Sequence, residues 1–246
     1  MRIDLNADLG EGGGDDEAIL ACVSSVNIAC GWHAGDAGSM RRAITAALTY
    51  GVAIGAHPSY PDRTNFGRLP MTRDPASVFD DLLYQMGALS AMVRAAGGRL
   101  HHVKPHGALY NQAARDPVLA DAIASAVRVF DPSLRLVALA GSELIAAARR
   151  HGLSPVEEVF ADRAYLASGD LAPRQRSGAV LESLPEALAQ ALSLIREGQV
   201  STLEGCRLAL RADTICLHGD GLHALALARA LRSTLDREGV AVAAIQ

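Results

Sequence analysis

Lysine is almost missing from this chain: Lys104 is the only one, set against 22 arginines in 246 residues. Four cysteines (Cys22, Cys30, Cys206 and Cys216) form no CxxC pair, so neither a disulfide framework nor a zinc knuckle is indicated. They are expected as small buried apolar residues in a reducing cytoplasm. No apolar run approaches the roughly 20 residues that a membrane span needs. The opening MRIDLNADLGE also lacks the apolar stretch of a signal peptide. A net charge of −4 with mixed signs excludes a broad basic surface for nucleic acid. No GxxxxGK[ST] or GxGxxG phosphate loop occurs. Nor does a Pro/Gly linker or charge block divide the chain, so residues 1–246 are expected to form one (β/α)-barrel domain, for which roughly 250 residues are typical.

Short apolar runs alternate with longer Ala/Leu-rich stretches. Strands are expected near residues 3–6, 26–29, 52–56, 100–104, 134–139, 156–160, 214–217 and 240–244. Helices are expected over 39–50, 76–96, 117–130, 142–151, 184–197 and 222–236. That alternation predicts a parallel sheet covered by helices, with a small hairpin around Glu204–Gly205 as the exception. Eight candidate strands favour a closed barrel over an open sheet.

Polar and ionisable residues recur where the strands end: Asn6, Asp8 and Glu11, then His33 and Asp36, then His57 and Asp62. His102, Lys104, His106, Tyr110 and Asn111 follow the fourth strand, Asp162 and Arg163 the sixth, His218 and Asp220 the seventh. In a parallel barrel those ends converge on one face, where such enzymes place their chemistry. Singly, each has a structural reading. His57 before Pro58 can simply end a strand, and Pro105 argues against a helix that would aim His102 and His106 at one metal. Lys104 stands out, because a compact ammonium in a chain that otherwise uses arginine suggests a position the guanidinium does not fit. As a strand-end residue it is expected to act on a ligand without supporting the core.

In order along the chain, DLNADLGEG (4–12), NIACGWHAGD (27–36), GAHPSYPD (55–62), NFGR (65–68), VKPHGALYN (103–111), EVFADRAY (158–165) and ICLHGDG (215–221) resemble the A-subunit family of 5-oxoprolinase, also called LamB/YcsF. The resemblance implies an irregular TIM-like barrel of seven or eight mainly parallel strands, related to carbohydrate deacetylases. It also implies ATP-dependent opening of the 5-oxoproline lactam to glutamate, together with partner subunits B and C; the composition adds that neither membrane nor nucleic acid is expected as a partner. Such chemistry needs a base, an acid and a cationic clamp. Asp8 and His57 are the candidates for base and acid in either order, and Lys104 for the clamp. Asn6, His33, Asp36, His106, Tyr110 and His218 are expected to position substrate, with Arg163 and Arg174 as anion contacts. ATP is the expected cofactor, bound chiefly by the partners, and the spacing decides nothing about a divalent metal. The alternatives are a metal-dependent deacetylase-like hydrolase, with Asp and His holding Zn²⁺, and a non-catalytic substrate-binding subunit.

Overall fold

Alternation along the first strand, β1 (Arg2–Leu9), sets the architecture. Successive side chains on a strand face opposite ways. Ile3, Leu5, Ala7 and Leu9 enter the apolar core, while Asp4, Asn6 and Asp8 hydrogen-bond to other strands. The computed structural model describes residues 1–12, 16–217 and 224–245.

From β1 the chain runs through α1 (Asp16–Leu20), β2 (Ser25–Ala29), α2 (Ala37–Tyr50) and β3 (Ala53–His57). Next come α3 (Pro75–Ala95), β4 (Leu100–Val103), α4 (Gly107–Ala113), α5 (Pro117–Phe130) and β5 (Arg135–Leu139). The remainder is α6 (Glu143–Arg150), β6 (Ser154–Phe160), α7 (Leu184–Glu197), β7 (Gln199–Ser201), β8 (Arg207–Ala209), β9 (Thr214–Leu217), α8 (Ala224–Arg237) and β10 (Ala241–Val242). Strands β1 to β6 pair in parallel in sequence order, β6 then pairs with β9, and β9 returns to β1. The ring is therefore a closed barrel of seven parallel strands. The eighth expected strand, near 240–244, is β10, which among the described residues pairs only with Arg2 and Ile3 at the start of β1. β7 and β8 form the expected antiparallel hairpin outside the ring.

Local chemistry starts and stops the helices where the sequence asks. Asp36 accepts from the Ser39 N–H in a reciprocal capping box, and Gly51 ends α2 in the left-handed conformation. Pro75, Pro117 and Pro185 occupy first helical turns, where a missing N–H costs nothing. No helix among the described residues is long and apolar enough to cross a membrane.

The barrel interior departs from the apolar filling usual for the fold. Asp4 accepts from Ser24 at 2.6 Å, Ser25 at 2.7 Å and Thr214 at 2.6 Å, so β1, β2 and β9 are tied at one level. Burial pushes the Asp4 carboxyl up, and the three hydroxyls pull against that. One level higher, Asn6 donates to Glu158 and Thr214, and Asn27 donates to Asn6 and Asp8. His102 meets the Asn27 amide oxygen at 2.8 Å. Its ring fits only because β3 has glycine opposite: a Cβ on Gly55 would stand 2.1 Å from His102 Nε2.

Gly55→Ala is therefore expected to destabilise the barrel by at least the roughly 1–3 kcal/mol typical of an overpacked interior, read as a lower urea midpoint. An unchanged midpoint would mean that the His102 ring has room to move aside.

Candidate functional site

Lys104, the residue after β4, reaches into the barrel and is 3% exposed. Its Nζ lies 2.9 Å from Glu158 Oε1, 3.1 Å from Asp8 Oδ1, 3.1 Å from Cys216 Sγ and 3.2 Å from Asn6 Oδ1. Burial works against the ammonium, but Asp8, Cys216 and Glu158 outweigh it and hold its pKa well above the ordinary value. Tyr110 donates to the other Glu158 oxygen at 2.7 Å. Burial, with Glu158 adding to it, raises the Tyr110 phenol, so that group is a neutral donor. The expectation that Lys104 leaves the core unsupported is corrected: four side chains from three other strands spend their polar atoms on it.

Above this layer three imidazoles and one carboxylate converge. His33, between β2 and α2, places Nε2 2.7 Å from Glu11 Oε1. His57, the last residue of β3, places Nε2 2.9 Å from His106 Nδ1. His106 Nδ1 is also 3.4 Å, and His57 Nε2 3.8 Å, from the same Glu11 oxygen. The far ring nitrogens of two of them are fixed by main chain: His57 Nδ1 donates to the Lys104 carbonyl at 2.7 Å, and His106 Nε2 to that of Phe66 at 2.8 Å. Phe66 has a left-handed backbone (φ 56°), unusual for a bulky residue, and this turn aims its carbonyl at His106. Gly67 must follow, because a Cβ there would meet His106 and His33 at 2.9 Å.

Burial, then the nearby His57 charge, lowers the His33 pKa to about 2. Burial, with His33 and His57 adding to it, also holds His106 well below the ordinary histidine value. For His57 burial is opposed by Asp8 and Glu11, which raise its pKa. Asp8 links the two layers, with Oδ1 on Lys104 and Oδ2 3.4 Å from His57 Nε2.

A cavity of about 530 Å³ opens over these groups, and Asp8, Glu11, His57, Lys104, His106 and Tyr110 line it. Arg68, Arg115, Arg163 and Arg174 are also in its wall. Arg163 is 5% exposed and donates to the carbonyls of Ala172 and Ala179. Burial, and Arg174 beside it, lower its pKa to about 10, so an anion in the cavity would relieve it.

The structure thus brings Asp8, His57, Lys104, His106, Tyr110, Arg163 and Arg174 around one space, with His33 buried behind Glu11 and His106. Asn6 sits beneath, inside the barrel, where it hydrogen-bonds Lys104 and Glu158. Asp36 is an exposed residue whose carboxylate caps α2, so its substrate-positioning role is replaced by a structural one. His218 and Asp220 lie outside the described residues. Glu11 is a strand-end residue without an expected role, and Asn27, Glu158 and the Phe66 carbonyl were not among the expected site residues. Glu158 and Asn27 carried a readable signal: within their strands Asn27 stands between Val26 and Ile28, and the Glu157–Glu158 pair between Val156 and Val159.

A sequence model described as the LamB/YcsF family matches residues 3–246. The crystal structure of a lactam utilization protein from Thermus thermophilus is 48% identical over 100% of both chains, with a TM-score of 0.93. A family 4 carbohydrate esterase from Streptomyces lividans is 12% identical, over 100% of this chain and 93% of that one, with a TM-score of 0.51. The peptidoglycan deacetylase PdaC from Bacillus subtilis is 9% identical over 98% and 86%, with a TM-score of 0.50. These last two share the fold alone.

Lys104→Met is expected to cost about 3–5 kcal/mol, the usual penalty for stripping a buried ion pair of one partner. Lys104→Arg, which keeps the charge but adds bulk, is expected to cost about 1–3 kcal/mol. Chemical denaturation of both variants checks this; two wild-type midpoints would show that the ammonium is not needed to hold the interior.

Proposed function

Because the chain belongs to the LamB/YcsF family, we propose that it is the A component of an ATP-dependent 5-oxoprolinase. In this reading it opens the lactam of 5-oxo-L-proline to L-glutamate together with partner subunits B and C. The observation that carries the reading is the make-up of the cavity: a carboxylate beside a buried ammonium, and arginines in the same wall. The substrate is a small anion whose amide oxygen becomes more anionic as the reaction proceeds. Arginine forks suit its carboxylate and a transferred phosphoryl group.

Transfer of the γ-phosphoryl of ATP to the lactam oxygen weakens the amide. Water then adds to the lactam carbon and gives up a proton. The C–N bond breaks with protonation of nitrogen, and the remaining acyl phosphate is hydrolysed to glutamate and phosphate. Asp8 is placed to take the proton from water. It presents more surface than His57 (11% against 1% of the side chain), whose two ring nitrogens already face the Lys104 carbonyl and His106. Lys104 holds Asp8 in place and supplies positive charge at the cavity floor, where it offsets charge developing on oxygen. Tyr110 and Glu158 fix Lys104 from below. ATP and the partner subunits enter from the family reading, and the cavity arginines are the groups of this chain suited to phosphate.

The test is glutamate release from 5-oxoproline by the purified chain, with and without ATP and with and without subunits B and C. Release is expected only with all components, and Asp8→Asn is expected to lower it by at least about 10²-fold, the range for loss of a general base. Robust hydrolysis by this chain alone without ATP would sink the proposal.

A further inference from the structure

Glu11, His33, His57 and His106 come from four separated segments, yet one ligand atom from each lies within 4.8 Å of all the others. Around a tetrahedral ion bonded at ~2.0–2.1 Å, neighbouring ligand atoms stand about 3.3–3.4 Å apart. The distances here scatter about that value: 2.7 Å for Glu11–His33, 2.9 Å for His57–His106, 3.4 Å for Glu11–His106 and 3.8 Å for Glu11–His57. We propose that these four side chains bind one first-row divalent cation of the zinc class.

The hydrogen bonds outside the cluster point the same way. With its Nδ1 proton on the Lys104 carbonyl, neutral His57 turns the lone pair of Nε2 inward. With its Nε2 proton on the Phe66 carbonyl, neutral His106 turns the lone pair of Nδ1 inward. The two inward nitrogens stand 2.9 Å apart, and a cation between them replaces any proton they share with ligation to both. Carbonyl acceptors on the far nitrogen are the usual support for metal-binding histidines. His33 Nδ1 has no hydrogen-bond partner among the described residues, so that ring can carry its proton there and offer Nε2. Three imidazoles and one carboxylate select zinc, cobalt, nickel or iron over magnesium or calcium, which prefer oxygen donors.

Packing fixes the same rings from outside. His33 and His106 stack with centroids 3.7 Å apart, and Phe66 meets both edge-on. Asp8 Oδ2, 3.4 Å from His57 Nε2, borders the cluster on the cavity side. A bound cation would supply Lewis acidity and a more acidic water beside that carboxylate. The proposal stands on side-chain geometry and holds whether or not the chain acts on a lactam.

The experiment uses the full chain stripped with chelator and dialysed. Zn²⁺ is titrated by calorimetry, and Co²⁺ binding is followed by visible absorption. One equivalent of Zn²⁺ is expected, with a Co²⁺ spectrum of tetrahedral intensity and no thiolate charge-transfer band. His106→Gln and Glu11→Gln are each expected to weaken binding by at least tenfold, and Cys206→Ser, which removes the exposed thiol, to leave it unchanged. Circular dichroism accompanies each variant; should His106→Gln not fold, Glu11→Gln at the cavity edge carries the comparison. The proposal is overturned by absence of stoichiometric binding at micromolar Zn²⁺, by full affinity in both cluster variants, or by loss of binding in Cys206→Ser.

Discussion

One buried ammonium organises the inside of this barrel. Lys104 Nζ has only three protons, yet oxygen or sulfur atoms from β1, β6 and β9 lie within 3.2 Å of it. Their other hydrogen bonds reach Asn27, Thr214 and Tyr110. Taking a charge out of water is expensive unless partners replace the lost solvation. The surrounding polar residues supply that replacement, and each brings atoms that must be satisfied in turn. The chain therefore carries hydrogen-bonded layers where related architectures carry branched aliphatic side chains. The apolar contribution to stability is displaced to the outer faces of the strands and the helices packed on them.

This inversion explains what could be read from the sequence. The order of the long elements was legible because short apolar runs and long Ala/Leu stretches keep their periods, whereas the short helices α1 and α4, of 5 and 7 residues, were not expected. The hairpin at 199–209 was legible from Glu204–Gly205. Convergence of Asp8, His57, Lys104, His106 and Tyr110 was legible because parallel strands put their ends on one face. The depth of those residues was not. DLNAD reads as a strand followed by a polar loop, yet β1 runs on to Leu9 and its alternate residues point into the ring. The same alternation recurs in Ser25/Asn27 and His102/Lys104, and local sequence cannot say which face of a strand becomes the inside. Asp36 illustrates the opposite error: a carboxylate beside a histidine in sequence was spent on starting a helix.

The turn at Phe66–Gly67 belongs to the site although neither side chain lines the cavity. Asp62 accepts from the main chain of Asn65 and Leu69, drawing the 62–69 segment into a tight loop. That loop lays the Phe66 carbonyl on His106 and the Gly67 carbonyl on the Ala108 N–H at the start of α4. A left-handed phenylalanine costs backbone energy, and here the packed rings of His33 and His106 hold it in place.

The closing contact between the first and last strands of the ring has a kinetic side. Thr214 supplies hydroxyl contacts to Asp4 and Asn6 from 210 and 208 residues away. Until β9 arrives, those residues face a half-built interior lined with carboxylates, amides and an ammonium. An aliphatic barrel can collapse in sections and wait, since a partial oily core still excludes water. Here a partial ring has little to gain from drying out, because its inward groups are better served by solvent until the circle is complete. Closure and dehydration are thus coupled into one late event that spans nearly the whole chain, the long-range arrangement that slows folding. A chain halted before that event would be wet inside and would keep its sheet edges open to other chains.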